Sequence, residues 1–230
     1  MPITFGIYDF FSYFVPGLLY LVVFNEFLRV IGWKFINFET WFQPEQVINL
    51  LLLVPVILVA YIIGHLLDVL AFKFFFGFVF RIRNQRGASY RGLEFVKENY
   101  PTLKVKFEPK DWNVMFTILR QRNKDISQVI DQFQANSIML RNIAFGMLLL
   151  SVIYIGESIS IQSSGPLIFA SVTFVICGIS IYKSRIFRTW FFEGVFEAAL
   201  EYGASVKEVV EYTRNQNIKK NTRAESLKKR

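Results

Sequence analysis

The chain contains one histidine, His65, and one cysteine, Cys177. That count limits its chemistry before any fold is considered. A Ser-His-Asp or Cys-His nucleophile would have at most one possible base. A structural zinc site takes about four Cys, His or carboxylate ligands, and a lone thiol forms no internal disulfide. No GxxxxGK[ST] loop, GxGxxG turn, HExxH helix or CxxC pair occurs. An Arg-x4-His ribonuclease pattern is also missing, because position 60 is Ala60. The expectation is a protein that is not an enzyme and holds no metal or cofactor.

One pair of reactive side chains remains, His65 and Asp68 in YIIGHLLD. At i and i+3 they share a helix face, where a carboxylate can hold an imidazole. Because histidine charges near neutral pH, the pair is a candidate gating or pH-sensitive element. The alternative is an interfacial pair reaching water near the end of a membrane helix.

The elements that carry this pair are apolar and long. The chain is 53% hydrophobic and 17% aromatic, with 26 Phe, slightly above the roughly 45–50% apolar content of soluble domains. The excess is concentrated in four runs, 16–31, 47–67 (extended past Asp68), 143–161 and 166–182. Crossing about 30 Å of hydrocarbon takes about 17–25 helical residues. The expected fold class is an all-α integral membrane protein, with four transmembrane helices and a small, mostly helical cytoplasmic domain. Pro16 is expected to start the first span, because a missing N–H costs least in a first helical turn. A hinge at Pro16-Gly17 is the other reading. Residues 1–15, rich in Phe and Tyr, suit a short helix at the headgroup boundary.

Four spans put both termini and the 81–139 loop on one face. That loop carries 11 Lys/Arg against six Asp/Glu, and the 183–230 tail carries the same numbers. The positive-inside rule makes this face cytoplasmic, in a bacterial inner membrane. No Lys or Arg precedes Arg29, so no cleavable signal is expected.

The organisation read from these runs has four parts. Residues 1–80 form the N-terminal segment and spans one and two, and 81–139 a basic cytoplasmic domain. Residues 140–182 form spans three and four, and 183–230 an amphipathic helix with a disordered basic tail. Within the loop, Arg91 to Tyr100 reads as a helix ended by Pro101, and LKVKFE (103–108) as a half-buried strand. Asp111 is expected to cap a helix through Arg122, and Asp125 to cap another that continues into span three. The loop and tail are each too small for a self-sufficient core, so they are expected to pack together and in a homo-oligomer.

Ionisable side chains inside the spans are sparse. Glu26 and Arg29 fall at the outer end of span one and Glu157 at the outer end of span three, which leaves hydroxyls, Ser151 and Thr173, at mid-span. These two join His65 and Asp68 as gating or pore candidates, and the absence of mid-membrane charge counts against a transporter. Ala170, Thr173, Cys177, Gly178 and Ser180 make a small-residue stripe suited to helix contact or to a narrow pore.

The basic loop offers ligand-binding candidates: Arg81, Arg83, Arg86 and Arg91, then Lys104, Lys106 and Lys110, then Arg120, Arg122 and Lys124. The first four follow a span directly, where a polybasic cluster binds anionic lipid and sets topology. The others, interleaved with Tyr90, Tyr100, Phe107 and Trp112, suit a nucleotide or oligonucleotide ligand.

Three stretches, YDFFSYFVPG (8–17), YIIGH (61–65) and ANSIMLRN (135–142), carry a resemblance. In them the chain resembles uncharacterised bacterial four-helix membrane proteins of the kind found beside phage-defence operons. The resemblance implies an oligomeric membrane effector or sensor working with a cytoplasmic partner, and it transfers no site residues. The leading expectation is thus a channel-like effector or sensor controlled by an anionic ligand or partner. A passive scaffold recruiting a soluble partner is the second reading, and a small transporter the third.

Overall fold

A computed structural model describes residues 7–33, 50–79, 87–100 and 107–201. Among the described residues the regular structure is all helical. Its elements are α1 (Ile7–Val30), α2 (Leu50–Phe72) running into a π-helical segment (Lys73–Val79), α3 (Ala88–Asn99), α4 (Trp112–Arg122), α5 (Lys124–Ile161) and α6 (Gly165–Glu201). A single 3-10 turn, Pro109–Asp111, precedes α4. Most of the expected strand, 103–106, lies outside the described residues, and Phe107 and Glu108 have no regular structure.

Among the described residues four helices are long and apolar enough to cross a membrane. Their apolar stretches are Phe10–Val30, Val54–Phe75, and stretches within Lys124–Ile161 and Gly165–Glu201. The first begins earlier than Pro16. Pro16 lies inside α1, where it supplies no N–H to the helix. It is fully buried, and the next residue, Gly17, lies directly against Ala60 of α2. Packing on the neighbouring helix carries α1 through a residue that would stop an isolated helix. The second stretch continues past Asp68 as expected, and with bounds of Val54–Phe75 it has His65 near its centre, not its end.

The long rod expected from Asp125 onward is present as α5, 38 residues without a break. At about 1.5 Å per residue that is about 57 Å, nearly twice the hydrocarbon thickness. Its cap is Asn123 and not Asp125: the Ile126 N–H donates to Asn123 Oδ1 at 3.1 Å. Asp111 likewise does not cap α4 through its side chain. Its Oδ2 accepts the Glu108 N–H at 2.8 Å and closes the 3-10 turn instead. At α5 the capping side chain stands two positions before the expected one, and at α4 Asp111 closes the preceding turn without capping the helix. A tight connection, Gln162–Ser164, joins α5 to α6. Gln162 adopts φ 51°, and the Ser158 hydroxyl donates to the Ser163 carbonyl at 2.7 Å.

The chain divides into two compact units, residues 1–85 with 135–186 and residues 86–134 with 187–230. In the first, α1, α2 and the apolar parts of α5 and α6 pack together, and Phe75, Ala144 and Cys177 form one buried cluster. In the second, α3 and α4 share a core with the start of α5 and the end of α6. Met115, Leu119, Val96, Val195, Phe196 and Ala199 are fully buried in it. The Trp112 ring meets Phe191 and Phe192 edge-on at 5.6 and 5.3 Å. The loop and the tail, each short of a core alone, complete one together.

Candidate functional site

In the first unit, α1 and α2 touch backbone to backbone. A Cβ at Gly17 would stand 1.7 Å from the Ala60 carbonyl oxygen, and one at Gly64 would stand 2.0 Å from that of Tyr13. Such contact is possible only where the side chain is missing, as in small-residue packing of membrane helices. It also places aromatic rings beside His65. The imidazole stacks on Tyr13 with centroids 3.6 Å apart and planes within 17°. Its Nε2 lies 3.0 Å from the Tyr61 hydroxyl.

Asp68 does not take the role expected of it beside His65. It accepts a hydrogen bond from Arg141 of α5 at 2.5 Å. The Arg141 side chain is 5% exposed and that of Asp68 20%, and the guanidinium also covers the Phe72 ring at 5.1 Å. Removing one member of such a buried pair costs about 3–5 kcal/mol, because the other charge is left uncompensated. Next to Arg141, Asn142 is wholly buried. Its main-chain carbonyl accepts the Tyr20 hydroxyl at 2.9 Å. Its side-chain Oδ1 and Nδ2 have no hydrogen-bond partner among the described residues. A buried amide left so costs about 1–3 kcal/mol per unsatisfied group.

A second charged group joins α1 to α5. Arg29 donates to both carboxylate oxygens of Glu157 at 2.8 Å, and its Nε donates to Glu26 at 2.9 Å. The sequence pairs Glu26 with Arg29 by helical spacing. The bidentate partner, 128 residues away, has no local signal.

The two hydroxyl candidates are both engaged. Ser151 is buried and donates to the Ala170 carbonyl at 3.0 Å. Thr173 bonds back into its own helix, to the carbonyls of Phe169 and Ala170. Ala170, Cys177 and Ser180 face inward, whereas a Cβ at Gly178 would meet open space. The small-residue stripe is therefore two faces. Sequence reasoning missed the reciprocal clasp between Ser137 and Ser184: each hydroxyl donates to the other's carbonyl, at 2.9 and 2.7 Å.

In the second unit the described cations are dispersed. Lys110 pairs with Glu108 at 2.8 Å. Arg120 pairs with Asp131 at 2.5 Å, and its guanidinium lies over the Phe116 ring. Arg91 is half-buried, while Arg122 and Lys124 are exposed. Arg81, Arg83, Arg86, Lys104 and Lys106 lie outside the described residues. The same unit has an open groove of about 620 Å³ lined by Ile126, Val129, Phe133, Ala198 and Leu200, with Glu197 and Glu201 among its lining. Val129 is 52% exposed there. Tyr100 also lines the groove and donates to Glu197 at 2.6 Å, a bond that raises its phenol above the usual range.

Among the described residues no group of three or more His, Cys, Asp or Glu is placed to hold a metal ion. No protein-family model, curated protein or solved structure matches the chain.

Proposed function

We propose that the chain is an oligomeric protein of the bacterial inner membrane that acts as a sensor or channel-like effector. In this reading the second unit and both termini face the cytoplasm, as the distribution of Lys and Arg favours. The observation that carries the reading is the continuity of α5 and α6. Each runs without a break from an apolar stretch into the core of the second unit. A change imposed on that core has two continuous helices along which to act on the membrane part. The phage-defence setting rests on the resemblance in 8–17, 61–65 and 135–142 alone.

Control through a partner protein is better supported than control through an anionic ligand. Lys110 and Arg120 already have carboxylate partners within the chain. A transporter has one point in its favour that the sequence did not suggest, a charged pair within the apolar helices, but Arg141 holds that carboxylate.

The scaffold reading is favoured by one observation, the groove. Its apolar floor and its two glutamates suit an amphipathic helix with cations beside its apolar face. Overexpression with a membrane-potential dye separates the two. Rapid depolarisation supports the effector. Full potential together with capture of a basic amphipathic peptide supports the scaffold. Reporters after Arg230, near Ala88 and near Thr40 test orientation, and a periplasmic signal at Ala88 would overturn it.

A further inference from the structure

The contacts that hold the first unit together are of two kinds. Within the α1–α2 pair main chain meets main chain, at Gly17 with Ala60 and at Gly64 with Tyr13, and the Tyr13–His65 and Phe10–Tyr61 rings stack beside these contacts. A shift of register there would drive neighbouring side chains into carbonyl oxygens. Within the α5–α6 pair, Ser137 and Ser184 bond reciprocally to each other's carbonyls, and Ser151 bonds to that of Ala170. The first pair is locked by close main-chain contact, the second by short serine side chains that allow little play.

Between the pairs the contacts are side-chain tips. Arg29 reaches Glu157, Asp68 reaches Arg141, and the Tyr20 hydroxyl reaches the Asn142 carbonyl. Leu19 fills the space beside Gly146, and Phe74 and Phe75 lie against Phe145. Long side chains can exchange partners while the helices behind them stay rigid. The buried Asn142 amide, unpartnered among the described residues, lies in this same seam. Interfaces of this kind have discrete alternative packings, separated by shifts of about 1–5 Å.

We propose that α1–α2 and α5–α6 are two rigid hairpins that slip past each other along this seam. Asp68–Arg141 and Arg29–Glu157 are its releasable clasps, and the slipped position supplies partners to the Asn142 amide. The proposal does not depend on whether the protein conducts or recruits.

Electron paramagnetic distances on the full chain in lipid nanodiscs test it, in a Cys177→Ala background. Labels go on exposed positions, one per helix: Val22, Leu58, Val152 and Val172. In Asp68→Asn the Val22–Val152 distance is expected to shift or split by about 1–5 Å. The Val22–Leu58 and Val152–Val172 distances stay as in the parent. Glu157→Gln, at the less buried clasp, gives the same pattern more weakly and serves if Asp68→Asn fails to fold. Adding Asn142→Leu to either variant is expected to restore a single Val22–Val152 distance. Three unchanged distances in both variants would overturn the slip, as would within-hairpin changes as large as those between hairpins. If Asn142→Leu leaves the split in place, the role given to the amide is wrong.

Discussion

Gly17 and Ala60 meet with no side chain between them, so that a Cβ on Gly17 would fall 1.7 Å from the Ala60 carbonyl oxygen. With the matching contact of Gly64 on Tyr13, this makes the α1–α2 interface the least substitutable surface in the first unit. Gly17→Val and Gly64→Val are each expected to exceed the roughly 1–3 kcal/mol of ordinary overpacking. Gly77→Ala and Gly178→Ala, whose Cβ atoms meet open space, are expected to stay within about 0.5 kcal/mol. Thermal unfolding of the detergent-solubilised protein checks all four. A tolerant Gly64→Val would contradict the backbone contact.

The buried ion pair makes a different prediction. Asp68→Ala or Arg141→Ala alone is expected to cost about 3–5 kcal/mol. The double change Asp68→Leu with Arg141→Met is expected to regain most of that loss, because neither charge is then left alone. A double-mutant cycle of Asp68→Leu, Arg141→Met and the two combined, read on unfolding midpoints, gives the coupling. Additive losses would mean the two side chains act separately.

In the second unit, Phe196→Ala is expected to cost about 3–5 kcal/mol, since the ring is wholly buried in the shared core. Val129→Asp, on the exposed groove wall, is expected to change stability by less than about 0.5 kcal/mol. It should nevertheless abolish binding of a basic amphipathic peptide, measured by fluorescence anisotropy. Equal peptide affinity in Val129→Asp and wild type would remove the groove from consideration.

Arg120 offers a contrast in scale. Its pair with Asp131 is 2.5 Å long, but the side chain is 54% exposed. Solvent and salt screen such a pair, so Arg120→Ala is expected to cost at most about 1 kcal/mol. Oligonucleotide titration at low salt is expected to show little binding that depends on Lys110 or Arg120. A steep loss of affinity in Arg120→Glu would return the anionic-ligand reading to first place.

What the residues reveal in advance follows from which forces are local. The four apolar helices are legible because hydrocarbon thickness sets a minimum run length, and the α5 rod because its apolar positions keep helical spacing. Pro16 misleads because a proline rule describes one helix, whereas the contact that carries α1 through it belongs to Ala60, 44 positions on. Asp68 misleads for a related reason: His65 is its neighbour on one helix face, but Arg141 is the stronger partner and lies 73 residues away. The Arg29–Glu157 pair is half visible, as two charges assigned to the same end of different spans. The three stretches behind the resemblance contain Tyr13 and Gly17, Gly64 and His65, and Ser137, Arg141 and Asn142. These residues make contacts that hold the first unit together, so the three stretches carry packing.

The connection from α5 to α6 is three residues long, Gln162 to Ser164, and is closed by the Ser158 hydroxyl on the Ser163 carbonyl. This bears on biosynthesis. In the membrane reading proposed above, a crossing made by α5 is answered by α6 with no translocated domain between them, and the two helices would enter the bilayer as a pair. In that reading only Gln162, Ser163 and Ser164 would have to be carried across at that point, and a protease on the far side would have almost nothing there to cut.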